Sequence, residues 1–341
     1  MGVPFRITMT AQLDSFSAKI FSVSDQQSFE NLALELFEFQ YEHVAVYRKY
    51  CDLLKRNKPQ SITEIPFLPI ETFKSHEVVA QVPNANFPDE VLFLSSGTTG
   101  AIRSKHRVLE PSLYQQSAIN TFEHYFGKLS DMVVCALLPN YLQQGNSSLV
   151  YMVDLLIKQT KDERSGFFLD DVDSMLHQIQ SAKQEGKKVI LFGVSYALLD
   201  LAEQNVNLSG VYVLETGGMK GRRKELPKEE LHAALKSGLK LAEIYSEYGM
   251  TELLSQAYCK NDEPFLTPPW MRILLRDERD PLTFLPENSD KSGGVSVIDL
   301  ANVLSCAFIH TQDLGKYKGS GFQLLGRFDH ADIRGCNQLI L

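Results

Sequence analysis

Between Ser24 and Leu54 apolar residues return every third or fourth position: Phe29, Leu32, Leu36, Phe37, Tyr41, Val44 and Tyr47. This period predicts an amphipathic helix with one break. A proline-punctuated connector, KPQSITEIPFLPIETFKSHEVV, then leads to the short apolar run Val91–Leu94. Farther on, apolar runs alternate with helical patterns. Strands are expected at Met132–Leu138, Val189–Phe192, Val211–Leu214 and Leu241–Tyr245. Helices are expected at Ser147–Ile157, Val172–Ala182, Tyr196–Ala202 and Lys224–Leu235. Such alternation predicts a parallel β/α architecture with functional loops at the carboxyl ends of the strands. After Ser255 the texture changes to short alternating runs separated by Pro, Gly, Asn and Asp. These runs (Met271–Leu275, Gly294–Asp299, Val303–Ile309, Phe322–Leu325 and Ala331–Ile333) predict an antiparallel, β-rich portion.

On this reading the 341 residues fall into a helical segment and connector (1–90), an α/β core (91–254) and a β-rich part (255–341), expected to form one structural unit. With 44% hydrophobic residues the chain can bury a full core. The net charge of −8 has no basic stripe within it, which argues against a nucleic-acid partner. Five scattered cysteines without a C-x-x-C pair suggest neither a disulfide framework nor a zinc site, and fit a reducing cytoplasm. No run approaches the roughly 18 apolar residues of a membrane span, and the N-terminus lacks a signal pattern.

The candidate chemistry lies at Leu94–Lys105, LSSGTTGAIRSK, directly after an apolar run. Gly97 and Gly100 let a backbone approach a ligand closely. Successive N–H groups and the hydroxyls of Ser95, Ser96, Thr98 and Thr99 suit an anion-binding nest, and Arg103, Lys105 and Arg107 follow. A plain Ser/Thr/Gly surface turn has the same composition. The Walker pattern does not fit, because Ser104 stands where its second glycine belongs, and G-x-G-x-x-G is absent from this loop.

The stretch from Ser95 to Gly100 resembles the [ST]-S-G-[ST]-T-G-x-P-K signature of adenylate-forming enzymes, with Ile102 in place of the proline and Arg103 in place of the lysine. Three further segments resemble that superfamily in its own order. Thr216-Gly217-Gly218 ends a strand where the family places a glycine turn against adenine. Tyr248-Gly249-Met250-Thr251-Glu252 is similar to Y-G-x-T-E. Thr311-Gln312-Asp313 and Gly326-Arg327-Phe328-Asp329 are similar to T-G-D and G-R-x-D. The resemblance implies that the loop and Lys105 meet the ATP phosphates, and that Tyr248 and Gly249 lie against adenine. It also implies Thr251 at the α-phosphate, Glu252 on Mg²⁺, and Asp313 with Arg327 on the ribose. A carboxylate oxygen would then attack the α-phosphorus in line, with charge neutralised by Mg²⁺ and Arg103.

The implied fold is the large N-terminal domain of an adenylate-forming enzyme. That means β/α subdomains with parallel-rich sheets plus a smaller antiparallel β subdomain, and it lacks the usual small C-terminal domain. The sequence ends at Leu341, twelve residues past Asp329, so the thiol acceptor is either built in or supplied from elsewhere. Nearly the whole chain resembles the acyl-protein synthetase (LuxE-type) family, through FLPIETFKSH, SSGTTG with SKH, LPNYLQQGNSSLVYM, TGGMKGRRKE, YGMTE and a cysteine near the terminus. In that family ATP activates a fatty acid, and the acyl group passes to the C-terminal cysteine and then to a partner reductase. The matching residue is Cys336.

If 333–341 is extended, Arg334, Cys336 and Gln338 share its more polar face, so the thiol lies beside a cation that lowers its pKa. A small hydrophobe packed in the last strand is the alternative for Cys336. Competing functions are a phenylacetate–coenzyme A type acyl or carrier ligase, and an acyl-adenylate-binding subunit of an acyl-reductase complex. His106 is assigned either to the phosphate or acyl carbonyl or to solvent. Tyr141, Gln144 and Ser147–Ser148 are assigned to the acyl pocket and Trp270 to the core, while Lys74 and His76 carry no role.

Overall fold

The computed structural model describes residues 13–82, 87–96, 102–139, 145–217 and 226–328. The chain packs as two compact units, Asn86–Pro268 and a second made of Met1–Ala85 with Pro269–Leu341. Compared with the three expected stretches, the first and last fold together, and residues 255–268 belong with the α/β unit rather than with the β-rich part. The first and last are joined by hydrogen bonding across a long sequence separation. Leu68 and Pro69 pair in parallel with Ile309 and His310, and the buried Gln40 amide donates to the Asn302 and Val303 carbonyls at 2.7 and 2.9 Å. Its Oε1 accepts from the Ala307 N–H at 3.0 Å, so one side chain satisfies three backbone groups of a buried turn.

In the unit Asn86–Pro268, six strands run in the order Gly166–Phe167, Met132–Leu137, Lys188–Gly193, Tyr212–Glu215, Tyr245–Tyr248 and Ala257–Lys260. The first five are parallel and the last is antiparallel. Every residue of Met132–Leu137 is buried, as a strand covered on both faces requires. Helices begin where side chains can take up free N–H groups. Ser147 Oγ accepts from the Val150 N–H ahead of Ser148–Thr160, and Asp171 accepts from the Ser174 N–H ahead of Val172–Gln184.

Two elements shift from their expected places. Pro227 sets the start of the helix Lys228–Leu239, and residues 241–244 form the approach to the strand Tyr245–Tyr248 rather than the strand itself. The helix Pro111–Phe126 was not anticipated. Its inner side carries the buried polar residues Ser117 and Thr121 among Leu113, Tyr114, Ala118 and Phe122, which blurs the apolar period.

In the other unit, the predicted broken helix is the pair Gln26–His43 and Ala45–Leu54, parted at the extended residue Val44. Asp25 opens the first with a reciprocal capping box to Ser28. The sheet runs Leu68–Pro69, Phe308–Lys318, Ser292–Asp299, Met271–Arg276, with Gly321–Arg327 also paired to Phe308–Lys318. The expected strand Val303–Ile309 is instead a buried turn followed by a strand that continues to Lys318. Trp270 is buried edge-on to Phe21, with ring centroids 5.0 Å apart. Ala331–Ile333 lies outside the described residues.

Candidate functional site

Val91–Leu94 and Lys105–Val108 form an antiparallel hairpin whose connecting segment is the Ser/Thr/Gly loop. Two serines close its neck beyond the last ladder pair, Leu94 with Lys105. The Ser95 N–H donates to the Ser104 carbonyl at 3.1 Å, and the Ser104 N–H donates to Ser95 Oγ at 2.9 Å. The Leu94 N–H donates to the Asn146 carbonyl at 2.8 Å, anchoring the hairpin just ahead of the helix Ser148–Thr160. Ser96 is exposed at the mouth, and Arg103 and Lys105 are exposed on the returning arm. Gly97, Thr98, Thr99 and Gly100 lie outside the described residues, as do Gly218, Tyr141, Gln144 and Cys336.

His106 joins this hairpin to the YGMTE segment. Its ring is 1% exposed, and Nδ1 lies 2.8 Å from the Thr251 carbonyl. A carbonyl oxygen only accepts, so Nδ1 carries the proton. Of the two placements expected for His106, the solvated one does not occur. The bond holds the neck of the loop and the residue before Glu252 together across 145 positions of sequence. Glu252 is 3% exposed, Thr251 is half-buried, and Tyr248 is buried with its ring centroid 5.9 Å from that of Phe265. Ser117 Oγ and Ser255 Oγ, 2.9 Å apart, fasten the same segment to the helix Pro111–Phe126.

Gly217 ends the strand Tyr212–Glu215 with φ +76°, a conformation that glycine adopts without strain. Its N–H donates to Glu215 Oε1 at 2.6 Å, and Ser195 Oγ donates to the same oxygen at 2.5 Å. The turn is thus held by a carboxylate that a neighbouring helix start also grips. On the adjoining strand, Glu247 folds back over Gly249 so closely that a Cβ at position 249 would overlap Glu247 Oε1. Any side chain at position 249 would displace the Glu247 carboxyl from this place. Burial pushes the Glu247 carboxyl up to about 7, and the Glu215 carboxylate nearby pushes the same way.

A carboxyl with a raised folded-state pKa contributes stability that is present at low pH and lost as pH rises from the usual 4.5 through about 7. Glu247→Gln is therefore expected to melt at a higher temperature than the wild type at pH 8, with the difference shrinking toward pH 5. An equal difference at both pH values would contradict the assignment. Ser195, Glu215 and Glu247 were not singled out in the sequence. The visible signal is an acidic residue at the carboxyl end of an apolar run.

In the second unit, Asp313 and Arg327 are cross-strand partners, with Arg327 Nε 3.4 Å from Asp313 Oδ1. The Asp313 side chain is 13% exposed and that of Arg327 is 81% exposed, so the pair presents a cation to solvent above a held carboxylate. The Asp313 N–H donates to Thr311 Oγ1 at 3.1 Å, and Thr311 Oγ1 donates to the Val295 carbonyl at 2.9 Å. Ser147 serves as a helix cap, and the Ser148 carbonyl accepts from the Tyr114 hydroxyl at 3.0 Å.

Among the described residues no cluster of three His, Cys, Asp or Glu side chains is arranged for a metal ion. Glu252 fits an ion that arrives with a nucleotide, since Mg²⁺ is commonly held by one or two carboxylates together with substrate phosphates. Nor is any described helix long and apolar enough to cross a membrane. Cys51, Cys135, Cys259 and Cys306 are buried free thiols. Burial pushes Cys51 and Cys135 up to about 12 and raises the other two as well.

The family model described as acyl-protein synthetase, LuxE, matches residues 7–341. The long-chain-fatty-acid–luciferin-component ligase of Aliivibrio fischeri is 24% identical over 342 residues, covering 90% of this chain and 86% of that protein. Among solved structures, 2-hydroxyisobutyryl-CoA ligase in complex with 2-HIB-AMP and CoA matches with a TM-score of 0.62 at 10% identity, over 90% of this chain and 70% of that one. McyG A-PCP complexed with phenylalanyl-adenylate matches with a TM-score of 0.50 at 16% identity, over 72% of this chain. The chain spans 48% of the McyG chain and 43% of coronafacic acid ligase from Pectobacterium brasiliense. At these identities the likeness establishes the fold, which is the α/β fold of adenylate-forming enzymes.

Proposed function

Because the chain belongs to the acyl-protein synthetase (LuxE) family, we propose that it activates a fatty or related carboxylic acid with ATP and passes the acyl group to a thiol. The observation that carries this reading is the His106–Thr251 bond. It ties the neck of the Ser/Thr/Gly loop to Thr251, the neighbour of the buried Glu252, which supports a shared phosphate-binding role for the two segments.

In the first step a carboxylate oxygen of the acid attacks the α-phosphorus of ATP, and the bond to the β-phosphate oxygen breaks. Acyl-AMP forms and pyrophosphate leaves. Little covalent work falls to the protein, so positioning and charge neutralisation dominate. Loop hydroxyls and N–H groups hold the phosphates, Arg103 and Lys105 offset their charge, and Thr251 meets the α-phosphate. Glu252 holds Mg²⁺, which when bound neutralises the departing pyrophosphate. Tyr248, Gly249, Gly217 and Gly218 frame adenine, and Asp313 with Arg327 meets the ribose.

In the second step the Cys336 thiolate attacks the acyl carbonyl of the mixed anhydride. AMP leaves and a thioester remains, from which the acyl group passes to a partner reductase or carrier protein. Two facts support this reading, the first bearing on the thiol and the second on the acid. The four described cysteines are buried with thiols driven toward the protonated, unreactive form. The long-chain-fatty-acid–luciferin-component ligase that the chain resembles over 90% of its length is, by its name, a fatty acid ligase. Buried free thiols also suit a reducing cytoplasm. The reading is tested by ATP–pyrophosphate exchange across a panel of carboxylic acids. Exchange is expected only when both Mg-ATP and an acid are present.

A further inference from the structure

The connector FLPIETFKSH takes no part in the function described so far, yet the fold lays it along the strand that carries Asp313. Leu68 pairs with Ile309 and Pro69 with His310 in parallel register, and the Ile70 N–H donates to the His310 carbonyl at 2.9 Å. Continuing that register by two residues brings Glu71 opposite Gln312. There the Gln312 amide Nε2 donates to Glu71 Oε1. Both side chains are half-buried, so the bond is partly shielded from competing water.

Gln312 occupies the middle of Thr311-Gln312-Asp313, where the superfamily pattern T-G-D has a residue without a side chain. In this chain that side chain is tied to the connector, and its backbone is tied on the other side, since the Gln312 carbonyl accepts from the Phe328 N–H at 2.8 Å. The location matters because the ladder between Phe308–Lys318 and Gly321–Arg327 is irregular between Leu314 and Gly315, one residue past Asp313. A bulge leaves local backbone less determined by its ladder. Anchoring Gln312 from both sides fixes the strand two residues ahead of Leu314, where the break begins.

Resting on the reading of Asp313 as a ribose ligand, we infer that Glu71 is a positioning residue for the nucleotide ribose, acting by holding Gln312 so that Asp313 meets the sugar hydroxyls. Glu71 touches neither nucleotide nor acid; its effect passes through the strand. The conformation of Asp313 is then set in advance of binding, which avoids an ordering cost when the ribose arrives.

The test needs no knowledge of the acid. Calorimetry of the full chain with Mg-ATP, 2′-deoxy-ATP and 3′-deoxy-ATP gives a ribose discrimination ratio for each variant. The wild type is expected to favour ATP by about tenfold, the size of one hydrogen bond to a charged group, and Asp313→Ala is expected to bring the ratio near unity. Glu71→Ala and Gln312→Ala are expected to lower the ratio at least threefold toward the Asp313→Ala value, while Glu71→Gln retains most of it. Gln312→Glu sets two carboxylates face to face and lowers the ratio. Adding Glu71→Gln restores the donor–acceptor pair, and with it the ratio.

A merely structural role for Glu71 would weaken all three nucleotides alike and leave the ratio unmoved, so that outcome, with Asp313→Ala collapsing the ratio, overturns the inference and spares the ribose reading. An unchanged ratio in Asp313→Ala overturns both. Melting curves accompany each variant, and the paired swap keeps the test decisive if Glu71→Ala folds poorly.

Discussion

Replacing Glu252 by Gln is expected to lower acid-dependent ATP–pyrophosphate exchange by about 10²–10³-fold, the range measured when one electrostatic contact to a transition state is lost. The substitution keeps the size and one acceptor oxygen but removes the charge, so a melting temperature close to that of the wild type separates chemistry from folding. The reasoning is local. Glu252 is 3% exposed, and the residue before it is bound through its carbonyl to His106, at the neck of the loop. In the proposed reading that carboxylate holds a nucleotide-borne Mg²⁺, and the amide of Gln would remove the charge that attracts it. Exchange at the wild-type rate in Glu252→Gln would overturn the assignment of Glu252 to the metal.

The second large effect concerns the destination of the acyl group. With Mg-ATP and labelled acid, the wild type is expected to acquire label that hydroxylamine removes, the signature of a thioester, and Cys336→Ala is expected to acquire essentially none. Exchange should persist in the variant, because adenylation precedes the thiol step. Label that remains on Cys336→Ala removes the built-in acceptor and favours an acyl or carrier ligase with an external thiol. Cys51, Cys135, Cys259 and Cys306 are poor substitutes, since each lies in the interior with its thiol pushed up by burial.

Much of the fold is legible in the sequence. Apolar runs such as Met132–Leu137 and Lys188–Gly193 are strands because covering both faces of a parallel sheet demands continuous hydrophobicity. The break at Val44 shows in the sequence as a slip of the helical period. Less legible were elements whose inner faces hold polar groups. Pro111–Phe126 buries Ser117 against Ser255, a partner 138 residues away that no local pattern reveals. The run Val303–Ile309 has a strand's composition, yet its first part is a turn held by the Gln40 side chain.

The site divides in the same way. Motifs such as YGMTE and SSGTTG are contiguous and can be read directly. The hydrogen bonds that hold the candidate segments are not contiguous: His106 reaches Thr251, Ser195 reaches Glu215, and Glu71 reaches Gln312, across 145, 20 and 241 positions respectively. Each of these residues is ordinary in sequence and finds its partner only through packing.

The central claim is that this fold adenylates a carboxylic acid, and ATP–pyrophosphate exchange by the wild-type chain tests it most directly. Labelled pyrophosphate should enter ATP only in the presence of Mg²⁺ and an acid from a series running from short to long chains. Incorporation that is absent with every acid, or that proceeds equally without one, would contradict the account.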